Sequence, residues 1–496
     1  MNSTISRLQI ATPDSANVER MLTGLEPRLG HIVRRFREKV PTPEIVLTFE
    51  IELEACCREA CRGLVEAEYN DIEPAAIKDC PVRIRLAGEE YKRRPKSPNE
   101  IGTLFGRIRL DRYRYEALEP GVRGIFPLEM QLGIEAGLAT PALAERIGLQ
   151  SADHAQQQVL DWLERDHGVK WSTVSLRKLS ASLSEGLSAF RQPAQETKIL
   201  ELLKKAEQST GPHQPVLAVG RDGIMVPMRH GAYQEASTAT VYVLDRRGKR
   251  LGTVYLGQMP ESGQGTLSDQ LTSLLIGVLA KWDGCRLRYV YVTDAGNHPQ
   301  AYYKTVLQKM EDPRRPGRLL DWQWIVDFWH ACCYLTKLRE GLFGETGAGW
   351  KWFKRMRHWL RHRKHGITDV LRSATQHRNL AKDLNEARQK LFWDGYDYLR
   401  KYARRMAYSR YQRQGKPIGS GVTEAACKTV FTQRLKQSGM TWEVKGGQVI
   451  VDLRVLKLSG VWKEAFRSYQ RSRPLPQSNQ PGSRIGRTPQ KLKKAA

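Results

Sequence analysis

The sequence predicts an α/β protein: a mixed five-stranded sheet with helices, interrupted by an all-α insertion and preceded by a mainly helical region. Three observations carry this expectation. From residue 215 onward, apolar runs of strand length alternate with amphipathic helical stretches. A strongly basic helical stretch, 337–415, then separates the strands from a last apolar block at 416–470. Upstream of 210 most of the periodicity is helical.

Residues 1–30 are polar and read as frayed. The stretch "IVLTFEIELEACCREACRGLVEAEYNDIE" then spaces its apolar residues by threes and fours, as a long helix does. Two strand-like runs follow, "CPVRIRLAG" and "FGRIRLDRYRYEALEP", separated by a loop, "EEYKRRPKSPNEIGTL". Arg107, Arg109, Arg112 and Arg114 interleave with Tyr113 and Tyr115, which makes either a phosphate-touching face or an ordinary solvated one. Over 140–187 the pattern is helical in three segments, with breaks at "GLQSADH" and "DHGVKWS". Ser172 or Thr173 would cap the last helix, which carries Arg177 and Lys178. Three short helices ending in a basic one suit a helix-turn-helix reader of DNA, although many such units bind nothing. A charged connector, "RQPAQETKILELLKKAEQSTGPHQP", leads to the sheet.

"PVLAVG" is a continuous apolar run, as a central strand buried on both faces requires, and it ends in Arg221-Asp222-Gly223. "ATVYVLD" and "LGTVYLG" flank "RRGKR", a hairpin with a short Gly-containing turn. "LSDQLTSLLIGVLAKW" is an amphipathic helix, "LRYVYVT" a strand ending at Asp294, "PQAYYKTVLQKM" a helix, and "DWQWIV" a strand ending at Asp327. Strand, hairpin, helix, strand, helix, strand is the ribonuclease H-like order: three antiparallel strands, then two that return parallel to the first through crossover helices. The expected domains are 1–125, 126–210, 211–336 (first part of the core), 337–415 (insertion), 416–470 (rest of the core) and 471–496.

The 496 residues carry 80 Lys and Arg against 53 Asp and Glu, a net charge of +27. An excess this large points to a polyanionic partner, most economically nucleic acid. The charge concentrates at 337–415, with 20 basic and 7 acidic residues, and in the tail 471–496, with seven basic residues and no acid. That Pro- and Ser-rich tail reads as a disordered basic arm. No run of 18 apolar residues exists and the first thirty lack an apolar signal core, so neither a membrane nor secretion is expected. The eight cysteines include no paired Cys-x-x-Cys and read as reduced, mostly buried small hydrophobes of a cytoplasmic protein.

Three acids stand out. Asp222 and Asp294 stand just past the carboxyl ends of apolar strands, and if those strands are parallel neighbours both carboxylates emerge at one sheet edge, where open α/β sheets bind ligands. Glu424 lies in the first turn of an apolar helix in "PIGSGVTEAACKTVF". Carboxylates gathered there repel one another unless a cation neutralises them, and Mg²⁺ takes such oxygen ligands together with substrate phosphate. Each acid also has an ordinary role open to it. Asp222-Gly223 can be a turn, Asp294 an Asx turn, and Glu424 a helix-capping acid paired with Lys428. His358 and His362 have ligand-like i, i+4 spacing but cationic surroundings that disfavour a metal.

"PIGSGVTEAACKTVFTQRLKQSGMTWEVKGGQVIVDLRVLKLSGVWKEAF" resembles the carboxy-terminal signature of ISKra-type insertion-sequence transposases, bacterial members of the DDE superfamily. "DGIMVPM", "YVTDAGNH" and "WQWIVDFWHACCYL" resemble its other blocks, so the likeness spans about 215–465. The resemblance implies a ribonuclease H-like core, two Mg²⁺ ions (Mn²⁺ substituting), and cleavage and strand transfer of double-stranded DNA at terminal inverted repeats. It implies Asp222, Asp294 and Glu424 as the catalytic, metal-holding triad, with the 130-residue gap before Glu424 filled by the basic insertion. "DFWH" matches an Asp/Cys-x-x-His element of related enzymes, which makes Asp327 and His330 candidate supports of the site; His330 can equally be a core residue. "AGNH" departs from the Asp-Gly and aromatic run of many relatives and leaves Asn297 and His298 without an implied role. Candidate DNA contacts are Arg177, Lys178, Lys354, Arg355, Arg357, Arg361, Arg363, Lys428, Arg434 and Lys436. The Gly-Ser-Gly leading into the Glu424 helix is expected to let the backbone pass close to the sheet. A homodimer at paired DNA ends and a nucleoid-associated location follow from the same resemblance. A ribonuclease H-like nuclease that cuts without joining, or a non-catalytic DNA-binding descendant, remain the alternatives.

Overall fold

A computed structural model describes residues 16–74, 76–380 and 384–478. The tail expected to be disordered from 471 is ordered as far as 478, where a helix runs to Ser472 and Gln477–Ser478 form a strand; 479–496 lie outside the described residues. The chain divides into two compact units: Met1–Gly186 with Arg467–Ala496, and Leu187–Phe466.

In the first unit, α1 (Ala16–Arg37) and α2 (Pro43–Asn70) form an antiparallel hairpin. The fraying expected over 1–30 is thus contradicted from Ala16 onward, and residues 1–15 lie outside the described residues. Val18, Met21, Leu25, Leu29, Ile32 and Phe36 recur at three- and four-residue spacing along α1, and Phe36 stacks on Phe49 of α2 at 4.3 Å. Next come β1 (Arg83–Leu86), β2 (Glu89–Thr103) and β3 (Gly106–Ala117), all antiparallel. The expected loop is thus β2. Its prolines obscured the strand, but the register shifts between Arg93 and Lys96, which houses Pro95 in a bulge where no ladder N–H is needed. Of the β3 arginines, Arg112 turns inward to an ion pair with Glu129 at 2.6 Å, while Arg107, Arg109 and Arg114 sit beside surface acids, as on a solvated face. After the one-turn α3 (Pro127–Gln131) come α4 (Pro141–Asp153), α5 (Gln156–His167) and α6 (Thr173–Gln208).

α6 is longer than its expected segment and absorbs the charged connector. From Leu187 onward α6 belongs to the second unit, where Ile199, Leu202, Leu203 and Ala206 are buried at helical spacing in that unit's own core, and that burial outweighs the N–H lost at Pro193. The boundary expected at 210 falls just beyond its end.

The second unit is built on β4 (Val216–Val226), β5 (Gln234–Leu244), β6 (Arg250–Gln258), β7 (Arg288–Thr293) and, after a small hairpin of β8 (Glu311–Asp312) and β9 (Arg315–Leu319), β10 (Trp322–Val326). The mixed five-stranded sheet runs β10-β7-β4-β5-β6. β4–β5 and β5–β6 pair antiparallel; β4–β7 and β7–β10 pair parallel. α7 (Gly265–Lys281) and α8 (Asn297–Thr305) make the crossovers. Val216–Val219 are fully buried at the centre, beneath Leu267, Leu271, Leu274 and Leu275 of α7.

After β10 come α9 (Phe328–Phe343), α10 (Gly347–His362), α11 (Gly366–Leu380), α12 (Glu386–Lys401) and α13 (Tyr408–Arg413). The boundary expected at 336 lies inside α9. The chain then returns to the sheet through α14 (Gly421–Ala426), a π-helical stretch (Cys427–Thr432) and α15 (Gln433–Leu435), followed by α16 (Val444–Leu458) and α17 (Trp462–Ser472). Val430, Val451 and Val455 press on Gly257 of β6, where a Cβ would meet Val451 at 2.8 Å. Only Cys80, Cys332 and Cys427 of the eight free cysteines are buried, fewer than the sequence implied, because several others face outward from helices. Among the described residues no helix is long and apolar enough to cross a membrane.

Candidate active site

Asp222 does not end a strand, nor is Asp222-Gly223 a turn. β4 continues to Val226 and pairs Asp222 with Thr238 of β5. The parallel pairing with β7, however, stops at Gly220–Val292, so Asp222 stands just past the point where β7 leaves it. Asp294 follows β7 directly. Both acids therefore emerge at the carboxyl end of neighbouring parallel strands. Asp222 accepts from the Gly223 N–H at 2.8 Å and the Cys427 thiol at 3.6 Å. Asp294 accepts from the Gly296 N–H at 2.9 Å, the Asx-type contact foreseen as its ordinary role, with Ala295 at φ 67°.

Glu424 reaches this edge because α14 lies against β4 and β5. Thr423 and Thr240 share a hydrogen bond at 2.8 Å, and a Cβ on Gly220 would come 1.9 Å from the Thr423 hydroxyl oxygen. The close approach is thus permitted by Gly220 on the strand. Gly421 has nothing within 4 Å of where its Cβ would be, so the Gly-Ser-Gly lead-in is not what permits it. Glu424 accepts from the Ser420 hydroxyl at 3.2 Å and, among the described residues, forms no ion pair with Lys428. Beyond it the helix widens into the π stretch, whose Thr429 carbonyl takes the buried Arg454 guanidinium.

Burial pushes the Asp222 carboxyl up to about 6, with the charge of Asp294 the next cause and that of Glu424 a smaller one. Both other acids thus act on Asp222. Their donor set, carboxylate oxygens only, suits a hard divalent cation. Even so, among the described residues no group of three or more His, Cys, Asp or Glu is gathered closely enough to hold an ion. The donor chemistry fits a metal, then, while the side chains as placed form no closed cage.

Asp327 is fully buried and caps α9, accepting from the His330 N–H at 2.6 Å; it also accepts from the Ser420 N–H. Phe328 N–H bonds the Ile418 carbonyl at 2.9 Å. Asp327 therefore clips the end of β10 to the segment that starts the Glu424 helix. His330 is half-buried against Tyr334 and Tyr398, and the Tyr398 hydroxyl donates to the Asp294 carbonyl at 2.7 Å. Tyr402 reaches the neighbouring Ala295 carbonyl at 3.3 Å. The sequence reading missed Tyr398, Tyr402, Ser420, Thr423 and Cys427. For the last three a signal existed, since they stand at −4, −1 and +3 from Glu424 and share its helix; nothing local marked the tyrosines.

Arg177, Lys178, Lys354, Arg355, Arg357, Arg363 and Lys428 are exposed. Arg357 lies 5.2 Å over the ring of Trp329, which is itself half-exposed two residues after Asp327. Arg361 and Lys436 are half-buried. Arg434 is 1% exposed, packed on Trp442 at 5.4 Å, and cannot contact DNA from there. The two α10 histidines lie 4.7 Å apart, ring to ring. A scan of known protein-family models and a search of curated proteins return no match.

Proposed function

We propose that this chain is a DDE-type transposase of a bacterial insertion sequence, of the ISKra type its motifs resemble. Its core is read as ribonuclease H-like, with α9–α13 as the all-α insertion. The observation that carries this reading is the sheet order β10-β7-β4-β5-β6, with Asp222 and Asp294 at one end of adjacent parallel strands and Glu424 delivered to them by a later helix. The substrate is double-stranded DNA, first the element's inverted repeats and then the target, handled by a homodimer at the nucleoid.

Asp222, Asp294 and Glu424 would hold two Mg²⁺ ions, or Mn²⁺ in their place, and such ions when bound stabilise the attacking and leaving oxygens of an in-line phosphoryl displacement. The chain's own residues do the placing. Gly220 and Thr423 seat α14, Asp327 anchors its lead-in, Tyr398 fixes the Asp294 backbone, and Cys427 orients the Asp222 carboxylate. Exposed Lys354, Arg355 and Arg357 on α10, with Arg363 just after it, supply backbone affinity, and the amino end of α6 with Arg177 and Lys178 is the candidate reader. Hydrolysis of a phosphodiester at the element end frees a 3′-hydroxyl, and that hydroxyl displaces a phosphodiester oxygen of the target.

The test is cleavage of labelled DNA carrying the gene's own flanks, with Mg²⁺ or Mn²⁺, by wild type and Glu424→Gln. The reading requires wild type to cut at a defined end while the variant binds and does not cut. Cutting without joining assigns a nuclease. Binding by both proteins with no cutting assigns a non-catalytic DNA-binding protein.

A further inference from the structure

A cleft of about 340 Å³ lies between the β5–β6 turn and the segment that leads into α14. Tyr242 and Val422 form part of its floor, and Arg247, Arg250 and Lys416 line it with Gln412. From these residues we infer a second anion site, one that grips backbone phosphates of a bound DNA strand away from the carboxylate edge. It rests on the reading of the chain as a DNA-binding enzyme, and nothing in that reading assigned these residues a role.

The charges are arranged as an anion site requires. Arg247 is held by neutral acceptors, its guanidinium donating to the Thr210 carbonyl at 3.1 Å and hydroxyl at 3.0 Å, so its charge stays uncompensated. Asp245, the acid of the turn, is occupied by the backbone N–H groups of Arg247 and Lys249, both at 2.8 Å. Arg250 and Lys416 form no ion pair among the described residues. Lys416 is half-buried, and its ammonium is disfavoured first by burial and then by Arg288, with Arg410 adding to this and exposed Asp321 opposing it. An anion arriving beside Lys416 favours the ammonium that burial disfavours.

The location ties the cleft to the candidate chemistry. Gly419 and Val422 line it, Ser420 between them bonds to Asp327, and Glu424 follows two residues later. A strand held here runs along the segment that delivers the third acid.

The experiment uses the full chain with Arg250→Gln and Lys416→Gln combined, and a control with Lys78→Gln and Lys204→Gln, both exposed. Fluorescence anisotropy with a labelled duplex, in EDTA across 50–200 mM salt, reads affinity. The site predicts about tenfold weaker binding for the first variant and a log K against log salt slope shallower by roughly 2, with the control near wild type. Equal affinity and slope for wild type and the double variant, with melting temperatures unchanged, overturns the site while sparing the DNA reading. Wild type that binds no duplex overturns both. Inorganic phosphate that raises the melting temperature of wild type but not of the variant, with DNA slopes equal, assigns the cleft to free phosphate and overturns the DNA assignment.

Discussion

Asp222 carries a cost that the folded protein bears in the absence of a cation. In the unfolded chain its proton leaves at about 3.8, while burial and the neighbouring acids hold it to about 6 in the folded state. Between those values the folded chain binds more protons, so this group's contribution to stability falls as pH rises through the window and stays low above it. Asp222→Asn removes the penalty. In EDTA the variant should melt above wild type at pH 7.5, with the gap closing toward pH 4; a variant that melts lower at pH 7.5 contradicts the account. Asp222 and Asp294 stood out in the sequence because apolar runs stop beside them, and Glu424 because it is the acid in the first turn of an otherwise apolar helix. The residues that seat them did not. Whether a glycine is there for a close approach depends on what crosses it, and Gly220 acquires its meaning only when Thr423 arrives from two hundred positions away.

At the scale of elements, the joint between β10, α9 and the lead-in to α14 decides where Glu424 lies. Asp327 makes that joint with two backbone N–H groups, so truncating it orphans both in a buried place. Asp327→Ala should cost about 1–3 kcal/mol of stability, and Asp327→Asn, which keeps an acceptor, should cost less. If positioning is its role, a metal-dependent cleavage assay will fall further for Ala than the melting shift explains, and Asn will rescue much of it. Equal losses in stability and activity for both variants would make it a simple helix cap. The hairpin and the parallel strands of the second unit were readable from their period. β2 and the second half of α6 were not, because prolines and charge masked them and their burial draws on distant partners, Ile101 in one cluster with Ile134 and Leu202 against the sheet.

At the scale of the whole molecule, the two ends of the chain share one unit. Glu135, 1% exposed, accepts from Tyr469 at 3.0 Å and Arg473 at 3.2 Å as well as from Ser182, and the strand Gln477–Ser478 pairs with β1. Glu135→Ala leaves half-buried Arg473 with only the Gly133 and Ile134 carbonyls as acceptors and should destabilise the first unit by about 1–3 kcal/mol. Limited proteolysis should then release residues after 467 faster than in wild type; unchanged cleavage would show that the tail is held by other means. None of this was visible in the sequence, since 135 and 473 carry no shared pattern.

The central claim is that Asp222, Asp294 and Glu424 act as one cation site. It is tested most directly by titrating Mn²⁺, followed by electron paramagnetic resonance, into wild type and into Asp222→Asn, Asp294→Asn and Glu424→Gln, each bound to DNA. The account predicts saturable binding to wild type and a loss of affinity of at least about tenfold in each variant. Wild-type Mn²⁺ affinity in all three variants would contradict it.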